Sequence, residues 1–217
     1  MNHPAKNALA ANKVTQLFVA REVGLRVPET LVTQSIEEAR QFYAANFGRI
    51  IAKPLHSGTV ETSDGQVESV VYTSRVREEH LNDPGLLARC PTLFQQELDK
   101  LLDIRVTVVD ERMTAVGLAW PELGSVPLDI RRDEMRQVRY APFELGPELR
   151  AAIRKLMILL GLRFGALDFV LDHAGNVWFL EINPNGQWAW IDIAGGFDIA
   201  ASFVESFSRS TPSGEVL

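Results

Sequence analysis

The sequence predicts an α+β fold, and three patterns carry that prediction. From Pro147, the residues Leu149, Ala152, Ile153, Leu156 and Leu160 recur at helical spacing up to Gly161. Ile104 to Val109 and Met113 to Trp120 flank a short polar turn, as do Gly165 to Leu171 and Val177 to Asn183, so each pair reads as a β-hairpin. Helices that cover hairpins of this kind define the class. With 217 residues, 46% hydrophobic and 23% charged, the chain has the make-up of a soluble globular protein and needs neither disulfide nor metal to fold. A formal charge of -6 argues against a broad basic face, so no nucleic-acid partner is expected. The single Cys90 has no partner for a disulfide and gives no zinc-ligand spacing, which suits a reducing compartment. The N-terminus lacks the form of a signal peptide and Leu156 to Leu162 is too short to span a bilayer, so the expectation is a cytoplasmic protein with no membrane partner.

Asn12 is placed to cap a first helix whose apolar positions are Val14, Leu17, Phe18 and Ala20, with Gly24 as its stop. Lys13 then lies in the first turn, where a cation meets the positive end of the helix dipole at a cost of roughly 0.3–1 kcal/mol. A nearby anion would explain it; a solvated lysine is the alternative. Val27-Pro28-Glu29-Thr30 reads as an extended link, and Ser35 with Glu38 has the form of a capping box for a helix through Ala39, Phe42 and Tyr43, closed by Gly48. Arg49 to Pro54 predicts a strand, and His56 to Gln66, without apolar periodicity, a loop. Lys53 ends that strand as a phosphate ligand or simply as an exposed lysine. Further strands are expected over Val67 to Tyr72 and Thr92 to Leu98, with weak helix between Glu78 and Ala88; Pro121 to Pro142 shows no period.

The second hairpin carries the chemistry. If its turn is centred between Ala174 and Gly175, Asp168 lies opposite Glu181 and Leu167 opposite Ile182. Alternation then puts Leu167, Phe169, Leu171, Trp178, Leu180 and Ile182 on one face, ready to pack on the Pro147 helix. Asp168, Phe179, Glu181 and Asn183 share the other. Opposed carboxylates, with Cβ atoms about 4.5–5.5 Å apart, repel unless a cation lies between them, and oxygen donors from Asp, Glu and Asn suit Mg²⁺. Histidine is absent from both strands, which disfavours zinc and iron. An exposed face with two solvated acids is the alternative. Trp188 and Trp190 follow in a polar turn, where they line a substrate pocket or cover the final helix.

Asn12-Lys13, Ala52-Lys53-Pro54, Phe94-Gln95-Gln96-Glu97-Leu98, Asp103-Ile104-Arg105-Val106, Gly165-Ala166-Leu167-Asp168 and Leu180-Glu181-Ile182-Asn183-Pro184-Asn185-Gly186-Gln187-Trp188 together resemble, in order and spacing, the ATP-grasp superfamily. With Val27 to Thr33, the last motif is most similar to the ligases of ribosomally made peptides, the microviridin or graspetide type, and more distantly to ribosomal-protein glutamate ligases. The match runs from about Ala11 to Ala200. The resemblance implies an α+β ATP-grasp fold whose two subdomains grip ATP: residues 1–26 an N-terminal segment and first helix, 27–98 the smaller subdomain with a lid at about 56–66, 99–217 the larger one with the metal-binding hairpin. It implies Lys13 and Lys53 at the phosphates, Gln96, Glu97 and Leu98 at the adenine, and Asp103 at the ribose. Arg105 resembles the arginine near the transferred phosphoryl group, and Asp168, Glu181 and Asn183 match the Mg²⁺ ligands. Asp129-Ile130-Arg131 matches the position of a further catalytic arginine, with Arg132 and Arg139 as neighbouring candidates.

The expected activity is that of an ADP-forming carboxylate ligase. ATP phosphorylates a carboxylate of a peptide or small molecule, and an amine or hydroxyl attacks the acyl phosphate to give an amide or ester. No enzyme nucleophile is required. Relatives carry a further N-terminal domain before the Asn-Lys motif, so a missing domain, a partner chain or a homodimer belongs to the expectation. The alternative function is a non-catalytic ATP-binding partner module.

Overall fold

The computed structural model describes residues 1–55, 59–61, 67–120, 128 and 138–209. These fall into two compact units: one holds Met1–Val27 and the strands and helices that lie C-terminal to Asp99, and the other holds Pro28–Asp99.

The chain opens with a short helix, α1 (Pro4–Ala10), started by Pro4 and by the His3 ring, which accepts from the Ala5 N–H at 3.2 Å. Sequence pattern does not reveal it, because only Ala10 is buried. Helix α2 (Lys13–Glu22) is capped as expected, Asn12 accepting from the Thr15 N–H at 2.9 Å. Its buried face differs from the expected one. Val14 and Phe18 are 50% and 65% exposed, whereas Gln16, Leu17 and Ala20 are buried.

In the Pro28–Asp99 unit, β1 (Thr30–Thr33) takes in Thr30, the end of the predicted link, and precedes α3 (Ile36–Ala45). Ser35 caps α3 through the Glu38 N–H at 3.3 Å, but the return arm of a capping box is diverted: the Glu38 carboxylate accepts from the Thr33 hydroxyl, which in turn accepts from the Ser35 N–H at 2.9 Å. Then come β2 (Ile50–Lys53), β3 (Thr59–Glu61), β4 (Val67–Val70), β5 (Ser74–Arg75), a 3-10 turn at Glu78–Leu81, α4 (Pro84–Leu87) and β6 (Thr92–Gln96). The antiparallel sheet runs β1-β6-β2-β5, and α3 packs on it over Ala39, Ile50, Val76, Leu81, Leu87 and Phe94. Within the stretch expected as a loop, β3 pairs with β4 as a separate ribbon; three residues of Thr-Val-Glu are too few to show alternation. The rest of that expected lid lies outside the described residues.

The other unit continues with β7 (Lys100–Val109), β8 (Arg112–Ala119), β9 (Arg139–Pro142), α5 (Pro147–Leu160), β10 (Phe164–Asp172), β11 (Val177–Asn183), α6 (Ala189–Gly195) and α7 (Ile199–Arg209). Its antiparallel sheet has the order β11-β10-β7-β8-β9. Strand β9 was not expected, since it is a mostly exposed strand with no buried alternation to read. Helix α5 starts at Pro147 and ends where Gly161 takes φ +67°, a left-handed value that costs glycine little. It buries Ala152, Ile153, Leu156, Met157 and Leu160. Asn2 ties the N-terminal segment to β10, donating to the Phe164 carbonyl at 2.8 Å and accepting from the Phe164 N–H at 2.8 Å. Among the described residues no helix is long and apolar enough to cross a membrane.

The β10–β11 hairpin corrects the expected faces. Asp168 is opposite Glu181 and Leu167 opposite Ile182, as the turn arithmetic predicts, but the register shifts after Asp168 so that Phe169 pairs with Phe179. Leu180 is the extra residue of a β-bulge. Phe179, expected beside Glu181, is instead fully buried against Phe169, ring centroids 5.5 Å apart.

Candidate functional site

One face of the five-stranded sheet gathers charge. Strand β7 sends Asp103 and Arg105 to it, and Asp168 of β10 lies opposite Arg105 on one side and Glu181 of β11 on the other. Arg105 donates to both oxygens of Asp168, Nε to Oδ1 at 2.7 Å and Nη2 to Oδ2 at 3.4 Å. Burial pushes the Asp168 carboxyl up, to about 6; Arg105 pulls it down, and the like charges of Glu181 and Asp103 push it up again. Asp103 is buried and held by the Lys100 ammonium, 3.0 and 3.1 Å from its two oxygens.

Helix α2 supplies the anion-facing lysine. Lys13 Nζ is 3.4 Å from Glu181 Oε2, so the cation at the start of the helix has the carboxylate partner its position calls for. The helix is fixed there by Gln16, which is 3% exposed. Its amide donates to the carbonyls of Ala10 at 2.6 Å and Ile182 at 2.7 Å, and its oxygen accepts from the Ile182 N–H at 2.9 Å. Gln16 thus occupies an edge strand's backbone as a neighbouring strand would. Sequence reading missed it by counting apolar residues alone: Lys13, Gln16, Leu17 and Ala20 fall at i, i+3, i+4 and i+7, one helical stripe.

Beyond β11 the chain turns sharply. Asn183 Oδ1 accepts from the Asn185 N–H at 2.9 Å, and Gly186 passes so close to β10 that a Cβ there would lie 2.4 Å from the Ala166 Cβ. The two tryptophans then part company. Trp188 stacks on Phe203 of α7 at 4.6 Å, the covering role, whereas Trp190 lies with its ring centroid 5.6 Å from Arg105 Cζ, at the charged face.

In the Pro28–Asp99 unit, Lys53 at the end of β2 donates to Gln95 Oε1 at 2.8 Å, and Gln95 donates on to Thr30 Oγ1 at 3.1 Å. The Gln96 and Glu97 N–H groups bond to the carbonyls of Glu29 and Arg49, both at 2.9 Å. The Glu97 carboxylate pairs with Arg75 at 2.8 Å, and Leu98, half-buried, follows at the strand end. Arg131 and Arg132 lie outside the described residues, while Arg139 is exposed on β9. The structure therefore brings Lys13, Asp103, Arg105, Asp168, Glu181 and Asn183 together in one unit, and Lys53, Gln96, Glu97 and Leu98 within the other.

The donor set fits Mg²⁺. Two opposed carboxylates and an amide oxygen are hard ligands whose mutual repulsion a divalent cation would relieve. Among the described residues no three His, Cys, Asp or Glu side chains cluster as a metal site, so the amide and non-protein oxygens would have to complete the coordination.

The element order and sheets define the ATP-grasp fold. Within that fold the chain is similar to ligases that act on ribosomally made peptides. The macrocyclase MdnC of Microcystis aeruginosa MRC, bound with precursor peptide MdnA, is 29% identical over 96% of this chain and 64% of its own, with a TM-score of 0.82. A Chryseobacterium gregarium RiPP-associated ATP-grasp ligase, in complex with ADP and a leader and core peptide, is 26% identical over 96% and 62%, with a TM-score of 0.85. The macrocyclase MdnB of Microcystis aeruginosa MRC is 32% identical over 94% and 61%, with a TM-score of 0.74. The chain thus spans less than two thirds of the length of these proteins. No family model matches it, and no curated protein does.

Proposed function

We propose that the chain carries the nucleotide-binding machinery of an ADP-forming ligase that activates a peptide carboxylate. The observation that carries this reading is the alternation of charge on one sheet face: Lys13 on Glu181, Glu181 opposite Asp168, and Asp168 on Arg105. Two cations and two carboxylates held by strands and a helix start can exchange partners when a polyphosphate and a divalent cation arrive together. Lys13 and Arg105 would then turn to phosphate oxygens, and Asp168, Glu181 and Asn183 would hold the metal. Bound there, Mg²⁺ would neutralise phosphate charge during in-line transfer.

In this reading Arg105 and Lys13 hold the phosphates beside the transferred group, as does Lys53, and Asp103 takes the ribose hydroxyls. Gln96, Glu97 and Leu98 receive the adenine. Arg131 is assigned to phosphate or substrate. The substrate carboxylate attacks the γ-phosphorus, ADP leaves, and the acyl phosphate is consumed by an amine or hydroxyl with release of phosphate, forming an amide or ester. Likeness to a macrocyclase bound with a precursor peptide and to an ATP-grasp ligase in complex with a leader and core peptide supports a peptide as the substrate.

Calorimetry with Mg·ATP tests the site. The wild-type chain should bind, and Asp168→Asn and Glu181→Gln should each weaken binding by about tenfold or more; equal affinity in all three defeats the reading. ADP release with candidate precursor peptides, and loss of water from the peptide by mass spectrometry, tests the ligase. Binding without turnover would instead mark a non-catalytic ATP-binding module.

A further inference from the structure

We propose that Trp190 is a positioning residue, whose indole and the neighbouring Gln187 carbonyl fix the guanidinium of Arg105 toward the phosphate chain. The inference rests on the nucleotide reading above. A guanidinium is a flat fork with five N–H donors, so it is aimed only when both an edge and a face are held. Asp168 holds one edge of Arg105. On another side its Cζ lies over the Trp190 ring, 5.6 Å from the centroid. The Gln187 carbonyl accepts from Arg105 Nη1 at 3.4 Å and from Trp190 Nε1 at 3.2 Å, so ring and guanidinium are located from one shared oxygen. Trp190 is itself braced by Tyr140 of β9, edge to face with centroids 5.9 Å apart.

Asp168 is at once the anchor of Arg105 and a candidate metal ligand. When a metal takes the carboxylate, the edge anchor weakens. Among the described residues, the ring and the carbonyl are the contacts that would remain to keep Arg105 aimed. Trp188, two residues earlier, has no such role, since it stacks on Phe203.

The test compares Mg·ADP with the magnesium complex of a non-hydrolysable ATP analogue by calorimetry in wild type, Trp190→Ala, Trp190→Phe and Arg105→Ala. Wild type should prefer the triphosphate. Trp190→Ala should lose about 3- to 10-fold of that preference with Mg·ADP affinity within about twofold, and Trp190→Phe should restore most of it. Adding Trp190→Ala to Arg105→Ala should cost nothing further, because the ring acts only through the guanidinium. If Trp190→Ala does not fold, Trp190→Leu, which keeps bulk without an aromatic face, carries the same expectation. Retention of the preference in the Trp190 variants while Arg105→Ala loses it overturns the positioning role alone. Retention in Arg105→Ala removes Arg105 from the phosphates and the proposal with it. Failure of wild type to bind Mg·ADP overturns the nucleotide reading and so both.

Discussion

Replacing Gln16 by leucine should destabilise the unit that carries the charged face by about 3 kcal/mol. The side chain is 3% exposed and makes three hydrogen bonds to backbone groups, the carbonyls of Ala10 and Ile182 and the N–H of Ile182. Each contributes about 1 kcal/mol net, and leucine of similar volume leaves all three backbone groups without a partner while preserving the packing. For a chain of this length 1 kcal/mol moves Tm by about 2–4 °C, so the expected fall is about 6–12 °C. The 4 tryptophans of the chain, Trp120, Trp178, Trp188 and Trp190, all fall in that unit, so their fluorescence during urea unfolding reports on it directly. A loss below about 0.5 kcal/mol with an unchanged denaturant slope would refute the reasoning. Gln16→Glu should be worse at neutral pH, since a carboxylate would face two carbonyl oxygens, and should recover as pH falls and protonation restores one donor.

Gly186→Ala should cost about 1–3 kcal/mol in urea unfolding, because the new Cβ meets the Cβ of Ala166 on a central strand at 2.4 Å; Gly165→Ala should cost less, since its 2.7 Å contact is the rotatable end of Ile182. Trp188→Ala should cost about 2–3 kcal/mol through the lost stack on Phe203, with nucleotide affinity following stability rather than falling on its own. Asp172 accepts from the Trp178 indole, from the Asn176 side chain and N–H and from the Ala174 N–H, which hold its carboxyl down to about 2. A depressed folded value means that its stabilisation is complete above the unfolded value of about 3.9 and is lost as pH falls through about 2. Urea midpoints measured from pH 6 to pH 2 should therefore show a steeper acid decline in wild type than in Asp172→Asn, and parallel curves would refute the role given to this turn.

What the sequence made legible was local. The caps at Asn12 and Ser35 and the stop at Gly161 follow from residues a few positions apart, where propensity and hydrogen-bonding chemistry act directly. The pairing of Arg105 with Asp168 depends on β7 lying beside β10, a contact spanning 63 residues that no local pattern encodes. The family resemblance placed both residues in one site without indicating that they pair. Trp188 and Trp190 show the same limit, since two aromatics two positions apart went to different neighbours, Phe203 of α7 and Arg105 of β7, which no local pattern distinguishes.

The facing of the two carboxylates has a further cause. Near its turn the hairpin is in the register that pairs Leu171 with Val177, and the Asp172 N–H donates to the Asn176 carbonyl at 3.0 Å, so the turn centres on Ala174 rather than between Ala174 and Gly175. Continued without interruption, that register would set Asp168 against Leu180 and turn Glu181 to the face of Leu167 and the core. The bulge at Leu180 absorbs one residue and returns Glu181 to Asp168. It also lets Phe179 and Ile182, three positions apart, both be buried, at 0% and 2% exposure, which strict alternation forbids. Turn and bulge are thus two departures from the regular hairpin that cancel at the site. Asp172 fixes the first, and Gln16, by holding both backbone groups of Ile182, fixes the strand just beyond the second.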